Sequence, residues 1–253
     1  MEPGNGQEIF DKVARLLRQQ KEMFGDFEVS YEKRPEKENA SQSEVKEPST
    51  EYESTPELSA DDLLAKCKSL EELKSLCESS EVLKTDLPNT NLVFGVGNPE
   101  ADLMLIGEAP GENEDLQGEP FVGKAGQLLD KIMEAINFNR SDIYIANILK
   151  HRPPNNRDPK PEERERSLPF LLKQIDLVNP KLILCVGKVS ATTLLAKDLT
   201  LKEMRQKFHD FHGRELMVTY HPAALLRNQQ WKRPTWEDVQ MLRTRYYELG
   251  GKP

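Results

Sequence analysis

The chain has 253 residues, of which 37% are hydrophobic and 31% charged, with a formal net charge of −8. One or two domains fit this length, and no apolar run reaches the roughly 18 residues of a membrane span. The acidic balance argues against a broad nucleic-acid footprint. However, ten acidic and four basic residues fall in 26–58, so the remainder is close to neutral and a local basic patch stays open.

The opening residues, MEPGNGQEIF, lack a basic start and an apolar stretch, so no secretory leader is expected. Three cysteines, far apart at Cys67, Cys77 and Cys185, suit a reducing cytoplasm. Residues 7–25 carry Ile9, Phe10, Val13, Leu16, Leu17, Met23 and Phe24 near helical spacing, which predicts an amphipathic helix over 1–25. Residues 26–58 lose that pattern and are rich in Glu, Lys, Ser and Pro. Such a segment buries too little apolar surface to offset its ordering entropy and reads as a disordered acidic linker. The helix before it docks either on the body or on a protein partner.

From residue 59 a single domain is expected to run to 253. Ser59–Ala60–Asp61 starts a helix, and Ser69 with Glu72 three residues on fits a second cap. Cys67 and Cys77 fall on apolar helical positions, where packing outweighs a ligand role. Strand-length apolar runs then occupy 102–106, 142–147, 181–187 and 215–220. Helical patterns fill 125–136, 161–178, 188–196 and 235–248. Strands alternating with helices imply a parallel sheet covered on both faces, and the continuous apolar character of the strands agrees. Cys185 lies inside one strand and reads as buried.

The first strand feeds GEAPGENEDLQGEPFVG at Gly107–Gly123, a polar loop with two prolines and five acidic residues. Gly107, Gly111 and Gly118 give it backbone freedom, and loops of this length are usually functional. Phe121 within it either plugs the core or stacks on a ligand. In open α/β sheets, ligands bind beyond the carboxyl ends of the strands. Glu108, Phe121, Asn147 and His221 all sit there, although they span 114 positions. The flanking loops hold Lys150, Arg152, Arg157, Arg227, Lys232 and Arg233, which read as phosphate contacts or as a solvated rim.

Three segments, GEAPGENEDLQGEPFVGKAGQLLD, NILKHRPPNNRDPKPEE and YHPAALLR, resemble the motifs of the family 4, or thermostable-type, uracil-DNA glycosylases. The likeness covers roughly residues 80–248. It implies a three-layer αβα fold with a short parallel four-stranded sheet, and hydrolysis of the N-glycosidic bond of deoxyuridine in DNA. A monomer acting on uracil-containing DNA is expected.

The residue types suit that chemistry. Phe121 would stack on a flipped base. Asn147 would accept from uracil N3–H and donate to O4. His221 would stabilise charge at O2, and Glu108 would serve the sugar and the water. By the resemblance, Glu114 forms the wall against thymine's methyl, and Ala109 is the small residue that stands where other glycosylase classes place a catalytic acid. Leu225 is the wedge filling the vacated stack, with Arg227 and Arg152 on DNA. The alternatives are a catalytically weak uracil-DNA-binding module and a glycosylase for another deaminated base.

The family typically holds a four-iron four-sulfur cluster through four cysteines. Those positions fall here on Ser80, Leu83, His151 and Ser167, none of them cysteine. The cluster is therefore expected to be absent, with no other metal.

Overall fold

The computed structural model describes residues 60–252; the helix expected at 1–25 and the linker at 26–58 lie outside them. Helices α1 (Ala60–Lys66) and α2 (Leu70–Ser79) come first. Ser69 caps α2, its hydroxyl accepting from the Glu72 N–H at 3.2 Å. The Glu72 carboxylate reaches back to the Lys68 N–H at 2.6 Å, one residue earlier than a standard capping box. Cys67 and Cys77 are buried with Leu64, Leu73, Leu83, Phe94 and Phe170 in one apolar cluster, the packing role that their helical spacing suggested.

Strands β1 (Val96–Gly97) and β2 (Leu103–Gly107) follow. Within the loop after β2 lies a short helix, α3 (Glu112–Gln117), which the glycine-rich composition concealed. Gly118 ends it in the left-handed conformation, φ 74°, which glycine adopts at no steric cost. Then come α4 (Lys124–Glu134), β3 (Tyr144–Asn147), α5 (Pro161–Val178), β4 (Leu182–Val186), α6 (Lys188–Leu195) and α7 (Leu201–Met204). The chain closes with β5 (His209–Phe211), β6 (Arg214–Thr219), α8 (Pro222–Arg227) and α9 (Lys232–Glu248).

The strand order is β1-β3-β2-β4-β6-β5. The four expected strands form the parallel centre β3-β2-β4-β6, and β1 and β5 extend it as short antiparallel edges. The edges escaped the sequence because they are two and three residues long. A tight turn at His212–Gly213, both at positive φ, joins β5 to β6, the conformation that two-residue hairpins require.

Every residue of β2 and β4 is buried, as in sheets covered on both sides. Met104 and Ile106 face one core with Leu171, Ile175, Ala191 and Leu194, from α5 and α6. Leu103 and Leu105 face the other with Leu129, Met133, Val239 and Leu242, from α4 and α9. The result is the expected three-layer αβα arrangement. No helix among the described residues is long and apolar enough to cross a membrane.

One buried ion pair ties the end of α7 to the last helix, and the last strand joins it through Thr219. The Arg205 guanidinium donates to Asp238 at 2.7 Å, and the Thr219 hydroxyl donates to the same oxygen at 2.6 Å. Arg205 also lies 4.3 Å above the Tyr220 ring, which stacks on Trp231 at 5.0 Å. Asp238 is fully buried, and that burial pushes its carboxyl pKa up, against the pull of Arg205. Removing one partner of a buried pair leaves the other uncompensated. Arg205→Met is therefore expected to lower stability by about 3–5 kcal/mol, measured by urea unfolding.

Candidate active site

Parallel register brings the strand ends to one edge. Gly107 pairs with Asn147 across β2 and β3, and Val186 pairs with Thr219 across β4 and β6. Everything that follows these residues in sequence emerges on the same side.

Gly107 is glycine because of what lies beside it, not because of its φ. A Cβ there would stand 2.3 Å from Asn147 Oδ1 and 2.5 Å from Phe121 Cζ. The amide of Asn147 and the ring of Phe121 thus converge over a backbone without a side chain. Asn147 is buried, and its Oδ1 has no hydrogen-bond partner. A buried acceptor left unpaired is destabilising by roughly 1–3 kcal/mol, so a ligand donor reaching this atom would be favourable.

Phe121 is buried in the core and also faces His221, with ring centroids 5.6 Å apart. It is therefore both the core plug and a wall of the site. Its φ is +56°, a left-handed conformation unusual for an aromatic residue, and three groups hold it there. Glu114 Oε1 accepts from the Val122 and Gly123 N–H groups, both at 3.0 Å, while Oε2 accepts from the Gly111 N–H at 3.1 Å. Arg140 donates to the Phe121 carbonyl at 3.2 Å and to the Pro120 carbonyl. Gly126 lets α4 approach so closely that a Cβ would lie 1.8 Å from the Phe121 carbonyl oxygen.

His221 caps α8, its Nδ1 accepting from the Ala223 N–H at 3.1 Å. That bond places the ring proton on Nε2. Burial, with Arg227 nearby, brings the His221 pKa down to about 4. The imidazole is thus neutral at pH 7, with an N–H to donate. Glu108 has the opposite perturbation: burial, reinforced by Asp158 and opposed by Arg164, pushes its pKa up to about 7. Ala109 beside it packs against the core face beneath α5 and α6.

The expected DNA contacts divide. Leu225 is 1% exposed and Leu226 is 45% exposed. Consecutive helix residues point about 100° apart, and α8 packs on α4 through one of those faces. Leu225 is therefore core, and the exposed apolar side chain is Leu226. Arg152 has only 17% of its side chain exposed, lying 3.8 Å from Glu112, and it donates to Asn156 at 2.7 Å. It braces its own loop rather than presenting a free cation. Lys150 is fully buried, and Arg157 is committed to Glu163 and Asp86. Arg227 and Lys232 are exposed.

Arg140, Gly126 and the clamping bonds of Glu114 were not found from the sequence. Arg140 stands in an ordinary polar stretch, FNRSD, and its partners lie 10, 19 and 20 positions away.

An α/β sheet carrying an open amide, a neutral imidazole and an aromatic wall at its strand ends has the chemistry to receive a flat, hydrogen-bonding ring. The model of the Uracil DNA glycosylase superfamily matches residues 94–240, and the chain belongs to that superfamily. It is 41% identical over 162 residues to the type-4 uracil-DNA glycosylase of Archaeoglobus fulgidus, covering 61% of this chain and 80% of that protein. Against the type-4 uracil-DNA glycosylase of Sulfurisphaera tokodaii it is 39% identical over 202 residues, 73% of this chain and 92% of the relative. The corresponding enzyme of Saccharolobus solfataricus is 42% identical over 173 residues, 64% and 78% of the two chains.

The close approach at Gly126 makes a direct prediction. Gly126→Ala is expected to displace Phe121 and to lower stability by about 1–3 kcal/mol through overpacking. Thermal melts measure the loss, and nuclear Overhauser contacts between the Phe121 and His221 rings report the displacement.

Proposed function

We propose that this chain excises uracil from DNA, initiating base excision repair, by hydrolysing the N-glycosidic bond of a flipped deoxyuridine. The observation that carries the reading is the buried, unpartnered Asn147 Oδ1 beside the Phe121 ring. Membership of the superfamily and the names of the type-4 relatives support it.

A base in a duplex must leave the stack to be reached, at a few kcal/mol. Stacking on Phe121 recovers about 1–3 kcal/mol of that. The Asn147 amide accepts from N3–H and donates to O4. Cytosine presents the reverse pattern and leaves buried polar groups unpaired. Discrimination against thymine is assigned to Glu114, whose carboxylate is fixed by three backbone N–H groups. Ala109 leaves space beside Glu108.

As the C1′–N1 bond breaks, its electrons pass to the base, and negative charge develops at O2. The neutral His221 donates its Nε2–H there, a bond that strengthens as charge accumulates. The sugar becomes cation-like, as in other glycoside hydrolyses. Glu108 as carboxylate faces that charge and takes the proton of the water that adds to C1′. Leu226 takes the place assigned to Leu225 and fills the vacated stack. Arg227 and Lys232 contact phosphates. The protein acts as a monomer in the cytoplasm, where its three buried thiols stay reduced.

The decisive assay incubates the purified protein with a uracil-containing oligonucleotide and then treats it with alkali. Strand scission at the uracil position is expected. Binding without scission would leave a uracil-DNA-binding module, and scission only at another deaminated base would reassign the substrate.

Asn147→Asp is expected to slow uracil excision by about 100-fold or more, the equivalent of roughly 3 kcal/mol of hydrogen bonding to the base. Single-turnover rates on U·G and C·G duplexes measure both the loss and any gain on cytosine.

The pH dependence follows from Glu108. Its folded pKa of about 7 makes it protonated, and unable to accept a proton, below that pH. Excision kcat/KM should therefore rise with pH and level off above about 7. Because the His221 pKa lies at about 4, this residue should add no second inflection in the neutral range. Glu108→Gln is expected to lose the inflection and to fall by about 100-fold, the scale of general-base catalysis.

A further inference from the structure

The four positions that would carry cluster cysteines in the family offer no ligand set. Ser80 ends α2, its N–H bonded to the Cys77 carbonyl. Leu83 is buried among apolar side chains. His151 Nδ1 pairs with the Thr90 hydroxyl at 3.0 Å. Ser167 is buried and donates to the Ile148 carbonyl at 2.6 Å. A four-iron four-sulfur cluster needs thiolates, and this set supplies none. Nor do the chain's own cysteines gather. Cys67 and Cys77 pack in the helical cluster, Cys185 lies within β4, and burial pushes all three thiols away from thiolate. Among the described residues, no group of three or more His, Cys, Asp or Glu side chains is arranged to hold a metal ion. The residues present do not fit the cluster.

A different structure joins the same three chain segments, namely the stretch before β1, the loop after β3, and α5. Its hub is Lys150, a fully buried lysine at the end of the strand that carries Asn147. Lys150 Nζ donates to the Gln174 side-chain oxygen at 2.6 Å, the Asn147 carbonyl at 3.1 Å and the Phe94 carbonyl at 3.2 Å. Three donors meet three acceptors, from the stretch before β1, the end of β3 and α5, which exhausts the ammonium group. Gln174 also donates to Phe94 O and to the Tyr144 hydroxyl, both at 3.0 Å.

Around this hub the segments are laced at close intervals. The Val93 N–H donates to the Lys150 carbonyl at 2.8 Å. The Thr85 hydroxyl donates to the Arg152 carbonyl at 2.6 Å. Thr90 holds His151 and Ser167 holds Ile148. No carboxylate is among the hydrogen-bond partners of Lys150. Burying an ammonium group without an anion is unfavourable, so packing alone would favour an apolar residue here. What a lysine adds is a fixed geometry for three backbone and amide oxygens.

We infer that this chain holds no four-iron four-sulfur cluster, and that a hydrogen-bonded brace centred on Lys150 fastens the loop between Asn147 and α5. Lys150 is then a positioning residue. It binds the backbone carbonyl of Asn147 and so sets the direction of the amide that reads the base. That last step rests on the uracil-excision reading; the fastening itself does not.

The test uses the full-length chain purified without oxygen. Iron and acid-labile sulfide are measured per chain, and the visible absorption is recorded. Substoichiometric iron, no visible band and a melting temperature unchanged by a chelator are expected. Stoichiometric iron and sulfide would overturn the inference.

Hydrogen exchange then reads the brace without reference to activity. Lys150→Met should speed exchange at residues 91–94 and 147–152. If that variant does not fold, Ser167→Ala removes a single bond and should speed exchange at 147–152 by about fivefold to tenfold. Unchanged exchange in every variant that folds would overturn the brace. For the positioning role, Lys150→Met should lower kcat for uracil more than it raises KM, and should narrow the preference for uracil over cytosine. A change in stability with kcat, KM and preference all intact would restrict Lys150 to the scaffold and overturn that part. If no variant excises uracil, the iron and exchange measurements still decide the brace.

Discussion

A buried amide oxygen with nothing to accept from is unfavourable in any fold, and the site is arranged around one. Asn147 Oδ1 cannot turn to water, because Asn147 is buried at the end of a central strand. It cannot be covered by a side chain from the neighbouring strand, because that neighbour is Gly107. The opening that results is bounded by Phe121, so a ring that enters meets an amide along its edge and an aromatic face. Phe121 must therefore stay where it is. Its left-handed backbone is held from three directions, by the Glu114 carboxylate, the Arg140 guanidinium and the close approach allowed by Gly126. Backbone strain of this kind persists only where the surroundings over-determine it.

The two ionisable groups of the site are tuned in opposite senses by the same cause. Burial disfavours charge, so it keeps His221 neutral and holds Glu108 partly protonated near neutral pH. For His221 the consequence is a donor that carries no permanent charge and so gains most when charge appears on its partner. For Glu108 it is a carboxylate poised to exchange a proton in the physiological range. In each case burial is the largest cause, with Arg227 adding to it at His221 and Asp158 at Glu108.

Much of the basic character near the site is structural. Arg157 and Lys160 meet Asp86 and Glu163, Arg152 lies against its own loop, and Lys150 is buried as a hub. Arg227 and Lys232 face solvent. A net charge of −8 does not by itself exclude a nucleic-acid partner, since phosphate contacts position a protein while base contacts specify.

The sequence by itself determined the four central strands, the longer helices between them and the edge at which the site forms. Apolar runs of strand length alternating with helical patterns admit few other arrangements, and polar residues at strand ends have nowhere else to converge. It also determined the chemistry available, because an amide, an imidazole, a carboxylate and an aromatic ring are legible as types. Tertiary structure decided which copy of a type does what. Leu225 and Leu226 are identical in kind and adjacent; only the packing of α8 on α4 makes one core and the other surface. Lys150, Arg152 and Arg157 read alike in a proline-broken loop, yet Lys150 and Arg157 have partners 6 to 71 positions away and are spent within the fold. Glu114 looked like a wall residue and is also a clamp on its own loop. In each case the deciding quantity is a direction in space, set by how the folded chain packs around the residue, and a linear pattern carries no term for it.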